Sequence, residues 1–380
     1  MRELRTFSVP FYGELPAFFS RLESTNRIRS LDPPIGIDLC SNDYLGLSQH
    51  PEIIESLKEG IDLFGAGSTA SRLVRGHRDV FSRLEDDFSS WVDSEASLFF
   101  ANGYAANLGT LSCVCDPSYV VFADRKNHAS LMDGIRLSGA KKVYYRHLDL
   151  NHLEQLLRKH SSSKHKIIVT ETVFSMDGDV AQIRDLLELK DRYGALLYLD
   201  EAHAIGLFGP KGAGFANSQL SSSELEGIDF RMATLGKALG LEGAMVSCTA
   251  EVRKFLLHSA RTFVFSTGSL PAIAHAGRTA VRLAKSMDAE RKRVEEFSLH
   301  LRKGIEAKGY SFGRSSSQIV PILLENEKEA LELATLFEAA GFQAKAIRPP
   351  TVDISRIRVS INAKLHKEDL ILFLSILRER

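Results

Sequence analysis

The sequence predicts an α/β fold, a mostly parallel sheet covered by helices on both faces, followed by a small α+β part. Two observations carry this. From about residue 95 to 250, seven short strand-like runs alternate with helical patterns, several of them amphipathic. After about residue 280 the alternation gives way to longer charged helices and only two strand-like runs. A third observation bears on function. Polar and glycine-containing stretches follow several of the runs, and sheets of this kind hold ligands beyond the carboxyl ends of their strands.

In chain order, the first 45 or so residues are too few for a core of their own and are expected to pack on the rest. Residues 46–280 form the expected large domain. Its strands are Ser97–Phe100, Tyr119–Phe122, Lys142–Tyr145, Ile167–Thr170, Leu196–Leu199, Arg231–Thr234 and Ala244–Val246. LNHLEQLLRKH and IRDLLELKDRYG carry apolar residues at helical spacing. The polar stretches Ser161–Lys166 and Ser218–Gly227 read as surface loops. Residues 281–380 form the expected small domain. A helix within MDAERKRVEEFSLHLRKGIEAKG precedes a strand in QIVPILLE. A second helix in EALELATLFEAAG, a strand in RIRVSIN and a last helix in HKEDLILFLSILRER complete it.

Composition excludes several functions. The 380 residues are 44% hydrophobic and 25% charged, enough for a sizeable core. Lys+Arg and Asp+Glu both number 48, so no excess positive charge exists for neutralising nucleic-acid phosphates. No apolar run reaches the ~18–20 residues of a membrane span. The first residues, MRELRTFSVPFYGELPAFF, lack the continuous apolar block of a secretory signal. A cytoplasmic protein without a membrane or nucleic-acid partner is expected. Cys40, Cys113, Cys115 and Cys248 then read as reduced thiols. Cys113-x-Cys115 has no companion pair, so no metal site is expected.

LLYLDEAHAIG puts Asp200 at the carboxyl end of a buried strand, with His203 three residues on. DEAH alone suggests a helicase, but the chain has no GxxxxGK[ST] phosphate loop and no HExxH zinc motif. Other strand ends are dressed in the same way. Gly103-Tyr104 opens a helical stretch, where backbone N–H groups and the helix dipole favour an anion. His128, Ser175, Thr234 and Lys237 follow three further strands. Taken singly, each is as well explained by a turn, a cap or a surface side chain. Together, a lysine, an acid, a stacking ring, hydroxyls and a phosphate turn fit pyridoxal-phosphate (PLP) catalysis. There a lysine forms a Schiff base and a carboxylate pairs with the pyridinium nitrogen.

The chain resembles the α-oxoamine synthases, PLP enzymes of fold-type I (aspartate aminotransferase-like), over nearly its full length. The resemblance lies in SNDYLGL (Ser41–Leu47), GAGSTASRLVRG (Gly65–Gly76), NHASL (Asn127–Leu131), VFSMDGD (Val173–Asp179), DEAHAIG (Asp200–Gly206) and TLGK (Thr234–Lys237). It implies that Lys237 carries the cofactor and acts as base, that Asp200 holds the pyridine nitrogen and that His128 stacks on the ring. His203 and Ser175 are implied to contact ring substituents, and Gly103, Tyr104 and Thr234 the phosphate region. Ser266 or Thr267 would reach the phosphate from a second subunit, so a homodimer with shared sites is implied. Arg358 would grip the amino-acid carboxylate, with Asn42 and Thr351 near the substrates. Arg27, with Arg29 beside it, is the expected N-terminal substrate arginine. AIRPPTV (Ala346–Val352) is similar to the branch that joins L-alanine to a pimeloyl thioester, carried on CoA or a carrier protein, on the way to biotin. Sister branches take glycine or serine with acetyl, succinyl or long-chain acyl groups, and a non-catalytic partner subunit would lack the lysine. One departure is Gly240-Leu241-Glu242-Gly243, where the family has small residues. Glu242 would affect acyl choice if it faced the acyl channel.

Overall fold

The structure, a computed structural model, describes residues 10–380; residues 1–9 of the expected N-terminal segment lie outside the described residues. All seven expected strands form one sheet. They are β1 (Ala96–Phe100), β2 (Tyr119–Asp124), β3 (Lys141–Tyr145), β4 (His165–Glu171), β5 (Leu196–Asp200), β6 (Phe230–Thr234) and β7 (Ala244–Cys248). Their order is β1-β7-β6-β5-β4-β2-β3. Only β7 runs antiparallel to its neighbours, β1 and β6; the other pairs are parallel.

Side-chain alternation explains why the strands read as unbroken apolar runs. Phe122, Ile168, Leu197 and Leu199 point into a cluster on one face of the sheet. Val121, Ala123, Ile167, Val169 and Tyr198 point into a cluster on the other. Successive residues of a strand face opposite ways, so a sheet covered on both sides needs apolar residues at every position. Helices α1 (Gly103–Val114) and α2 (Ala129–Ser138) cover the second face, and α3 (Leu150–Lys159) and α4 (Ile183–Tyr193) the first.

The stretch Ser218–Gly227 is not wholly loop. Short helices occupy Phe215–Gln219 and Ser222–Leu225. The Glu224 carboxylate accepts the Ser221 N–H at 2.8 Å, closing an S-x-x-E cap that polar composition had masked. Likewise His165 and Lys166 already belong to β4.

The C-terminal part carries a three-stranded antiparallel sheet, with Arg356–Ser360 between Lys345–Ile347 and Ile319–Leu323. Residues from the N-terminal region join it. Ile37–Asp38 pairs in parallel with Phe342–Gln343, and Leu39 is buried among Ile322, Ile357 and Phe373. Tyr44, Leu45 and Leu47 enter the core of the large part instead. Among the described residues no helix is long and apolar enough to cross a membrane.

Candidate active site

Parallel strands bring their carboxyl ends to one edge. Glu171 ends β4 and Asp200 ends β5, and the two are register partners. Thr234 ends β6. Beyond this edge lies a cavity of about 180 Å³, lined among others by Lys237, Asp200, His203, Glu171, His128 and Gly103.

Asp200 is fixed from two sides. One oxygen accepts the Ala202 N–H at 2.9 Å, and the other accepts Asn107 Nδ2 at 2.8 Å. Asn107, from the middle of α1, is itself oriented by the Tyr198 hydroxyl at 2.7 Å and by Ser130 Oγ at 2.9 Å. The carboxylate is therefore aimed before any ligand arrives.

Lys237 sits on the connection between β6 and β7. Leu235 N–H donates to Gly243 O at 2.8 Å across its neck. Gly240 adopts φ +66°, and a Cβ there would come within 2.2 Å of Ser48 N. That contact seats the turn on the SNDYLGL stretch. Burial pushes the Lys237 amine down to about 8, with the Asp200 and Glu171 carboxylates opposing. Its Nζ lies 2.8 Å from His203 Nε2. Burial, with Lys237, Arg358 and His128 nearby, holds His203 well below the usual imidazole range, so its ring is neutral.

Glu171 is the unexpected member. Burial and the neighbouring Asp200 push its carboxyl up to about 8. One oxygen accepts the Ser175 N–H at 3.3 Å; the other, Oε1, has no partner in the structure. His128 caps α2, its Nδ1 accepting the Ser130 N–H at 3.2 Å, and its ring forms a T-shaped pair with Tyr104 at 6.5 Å. Tyr104's hydroxyl bonds Asp133 rather than the cavity. Thr234 Oγ1 donates to Gly243 O at 2.9 Å and accepts the Gly236 N–H at 3.1 Å. Gly103 begins α1, where the capping oxygen of Asn102 takes only the Ala105 N–H, at 2.9 Å. First-turn N–H groups remain for an anion.

Two expected substrate residues meet. Arg358 Nη2 donates to Asn42 Oδ1 at 3.1 Å, and Arg358 Nε donates to Ser175 O at 2.6 Å. Neither of them lines the cavity, nor does Ser175, which lines the same pocket as Thr351, and four others lie apart from it too. Thr351 lines a separate pocket of about 240 Å³ beside Lys126, Asp177 and Arg356. Ser266 and Thr267 lie in a small hollow against Arg72 and Phe100. Arg27 pairs with Glu327 at 3.4 Å. Glu242 is exposed. Sequence reasoning missed Tyr44, Asn107, Ser130 and Glu171. Tyr44 lay inside a quoted motif and Glu171 closed a strand, but Asn107 carries no signal beyond its place in a helix.

The donor set suits PLP. The cavity combines an amine of lowered basicity, a carboxylate aimed by two hydrogen bonds and free N–H groups at the start of a helix. These are the partners that an aldehyde, a pyridine nitrogen and a phosphate require. Among the described residues no cluster of His, Cys, Asp or Glu could hold a metal ion.

The chain is similar to known proteins in sequence and in fold. The family described as aminotransferase class I and II matches residues 34–377. An 8-amino-7-oxononanoate synthase of Geobacter sulfurreducens is 41% identical over 336 residues, which is 87% of this chain and 85% of that protein. Among solved structures, a serine palmitoyltransferase with PLP superposes with a TM-score of 0.89 at 25% identity, covering 98% of both chains. An 8-amino-7-oxononanoate synthase of Francisella tularensis superposes at 0.79 with 27% identity, covering 90% of this chain and 96% of that one.

Proposed function

Because the chain belongs to the class I and II aminotransferase family, and within it to the α-oxoamine synthases related to 8-amino-7-oxononanoate synthase, we propose that it joins L-alanine to a pimeloyl thioester. The products are 8-amino-7-oxononanoate, carbon dioxide and the free thiol, a step of biotin biosynthesis. The observation that carries this reading is Lys237 and the Asp200 carboxylate lining one cavity at the strand ends, with the start of α1 beside them.

Lys237 and Asp200 would hold PLP from either side, and the first turn of α1 at Gly103 and Tyr104 would hold its phosphate, with Thr234 nearby. Bound there, PLP supplies an aldehyde for the amino group and a cationic ring that draws electrons from the α-carbon. The chain's own groups do the rest. Arg358 and Asn42 grip the alanine carboxylate, a task suited to the guanidinium fork. Lys237, half neutral near pH 8 through its burial, takes the α-proton and later returns one. His128, on the rim, would cover the ring face and orient the substrate. His203, neutral, would face the ring's substituents, with Ser175 beyond it. We further place Thr351 beside the acyl chain and Arg27 at its entry. Ser266 and Thr267 would serve the phosphate of a partner subunit in a homodimer, which accounts for their distance from this chain's own cavity. A cytoplasmic location suits this pathway step.

A second reading, a serine palmitoyltransferase-like sister activity, draws on the structural match at 0.89. The 41% identity to the Geobacter sulfurreducens synthase favours the first. Turnover of L-alanine, glycine and L-serine against pimeloyl, acetyl, succinyl and palmitoyl thioesters separates the two. L-alanine with a pimeloyl thioester is expected to dominate, and dominance of serine with palmitoyl would reverse the assignment. Lys237→Ala is expected to abolish both turnover and the visible absorbance of the cofactor-loaded protein; an active variant would remove the lysine from its role.

A further inference from the structure

We propose that Tyr44 is a positioning residue whose hydroxyl couples the carboxylate grip, Arg358 with Asn42, to the amine of Lys237 through His203. Four contacts form an unbroken chain. Arg358 Nη2 lies 3.1 Å from Asn42 Oδ1, and Asn42 Oδ1 lies 3.0 Å from the Tyr44 hydroxyl. The Tyr44 hydroxyl lies 2.6 Å from His203 Nδ1, and His203 Nε2 lies 2.8 Å from Lys237 Nζ. Tyr44 is wholly buried, and burial raises its phenol, so the hydroxyl keeps its hydrogen.

Donor chemistry fixes the direction of every bond. A guanidinium only donates, so the Asn42 atom facing Arg358 is the amide oxygen. An amide oxygen only accepts, so Tyr44 gives its single hydrogen to Asn42. The Tyr44 oxygen must then receive the Nδ1–H of His203. A neutral imidazole has one ring hydrogen, so Nε2 turns its lone pair to Lys237 and favours the protonated amine.

A carboxylate arriving at Arg358 competes for that guanidinium, and this step rests on the functional reading above. Asn42 is then free to turn its amide, and Tyr44 to donate to Nδ1. Lys237 passes a proton to Nε2 while the Nδ1 hydrogen leaves to solvent, so the ring stays neutral, Nε2 now donates towards Lys237 and the neutral amine is favoured. Occupancy of the grip thus releases the base. Direct attraction between the carboxylate and the lysine acts in the opposite direction. Asp200 and Glu171 beside Lys237, Arg358 near both groups and, with Gln318, also beside the Tyr44 hydroxyl, and His128 beside His203 are the other polar or charged neighbours. Those beside Lys237 and His203 are common to wild type and variant.

The opposed signs make the test decisive. The probe is propionate, which is alanine without its amine. The readout is the pH midpoint of Lys237 acylation, followed by mass spectrometry on the full chain without cofactor. Saturating propionate is expected to lower the wild-type midpoint by at least about half a unit, a roughly threefold weaker hold on the proton. In Tyr44→Phe it is expected to leave the midpoint unchanged or raise it. An equal shift in both proteins, or no shift in wild type, overturns the coupling. Should Tyr44→Phe not fold, Asn42→Ala cuts the same chain one bond earlier and carries the same expectation. Wild-type protein that shows no lysine-linked visible band with PLP would overturn the functional reading alone, because the acylation measurement needs no cofactor.

Discussion

His147 and His203 each lie just past the carboxyl end of a parallel strand, β3 and β5, yet they end in opposite charge states. His147 Nδ1 meets Asp124 and its Nε2 meets Asp179, both at 2.9 Å. Burial pulls its basicity down, but the two carboxylates outweigh burial and push it up to about 9. His203 meets an amine and a phenol, and burial leaves it neutral. Partners, not depth, decide the charge of a buried imidazole. The first arrangement is a clamp. It ties the 173–179 loop, through Asp179, to the end of β2, and Phe174 packs against the ring at 4.5 Å. The second has a hydrogen-bond partner on each ring nitrogen but a carboxylate on neither, and it shares its cavity with a lysine and two acids. That is where chemistry is expected.

The contrast breaks most visibly at its reactive pole. Asp200→Asn keeps the shape but removes the charge and replaces one acceptor oxygen with an N–H donor, so only one of the two hydrogen bonds, from Ala202 or from Asn107, is kept. Turnover is expected to fall about 10²–10³-fold, the cost of losing one preorganised electrostatic partner. A thermal midpoint within a few degrees of wild type would show that the loss is chemical. Arg358→Lys comes next. It gives up the fork that bonds Asn42 and Ser175, and the KM for alanine is expected to rise about 10–100-fold, with a smaller change in kcat. Steady-state kinetics in alanine alone decides this, and an unchanged KM would place the carboxylate elsewhere.

At the clamp, Asp179→Asn is expected to cost about 1–3 kcal/mol at pH 7, the loss of a buried charged hydrogen bond. The sign follows from the raised folded-state value. The stabilisation is complete below the unfolded histidine value near 6.5 and fades as pH climbs through about 9. Denaturant unfolding at pH 6 and pH 9.5 should show a wild-type decline that is smaller in the variant, which keeps Asp124 on the other ring nitrogen. A stability effect of the opposite sign is expected at Glu171. A carboxyl held near 8 makes the folded state bind its proton more tightly, so stability falls from about pH 4.5 to pH 8 and then levels. Glu171→Gln should flatten that decline and raise the thermal midpoint at pH 8, with little change at pH 4.5. A lower midpoint at pH 8 would mean that the ionised acid contributes a contact that the static picture lacks.

The reactive pole was largely legible in the sequence and the clamp was not. Lys237, Asp200 and His203 stand in short motifs at strand ends, and those ends were readable because runs buried on both faces have no polar interruptions. His147 follows a strand in Arg146-His147-Leu148, which looks like any polar turn. Its two acids come from residues 124 and 179, and only the sheet brings them together. Asn107 and Glu171 escaped for the same reason. Their meaning lies in register and in the packing of α1 across the strand ends, neither of which has a linear period. The Ser221 cap had a local signature, S-x-x-E, and was hidden only by the serine-rich composition around it.

The reversed strand β7 has a consequence for how this site tolerates change. A parallel return would require a crossover of a dozen or more residues. Here the chain leaves β6 at Thr234 and re-enters the sheet at Ala244, so the lysine hangs on a short leash tied at both ends to neighbouring strands. Insertions that other connections absorb would lengthen this leash and let the amine wander. Length variation among relatives should therefore be scarce between positions 235 and 243 and plentiful in the connection around Ser161, where nothing downstream depends on reach.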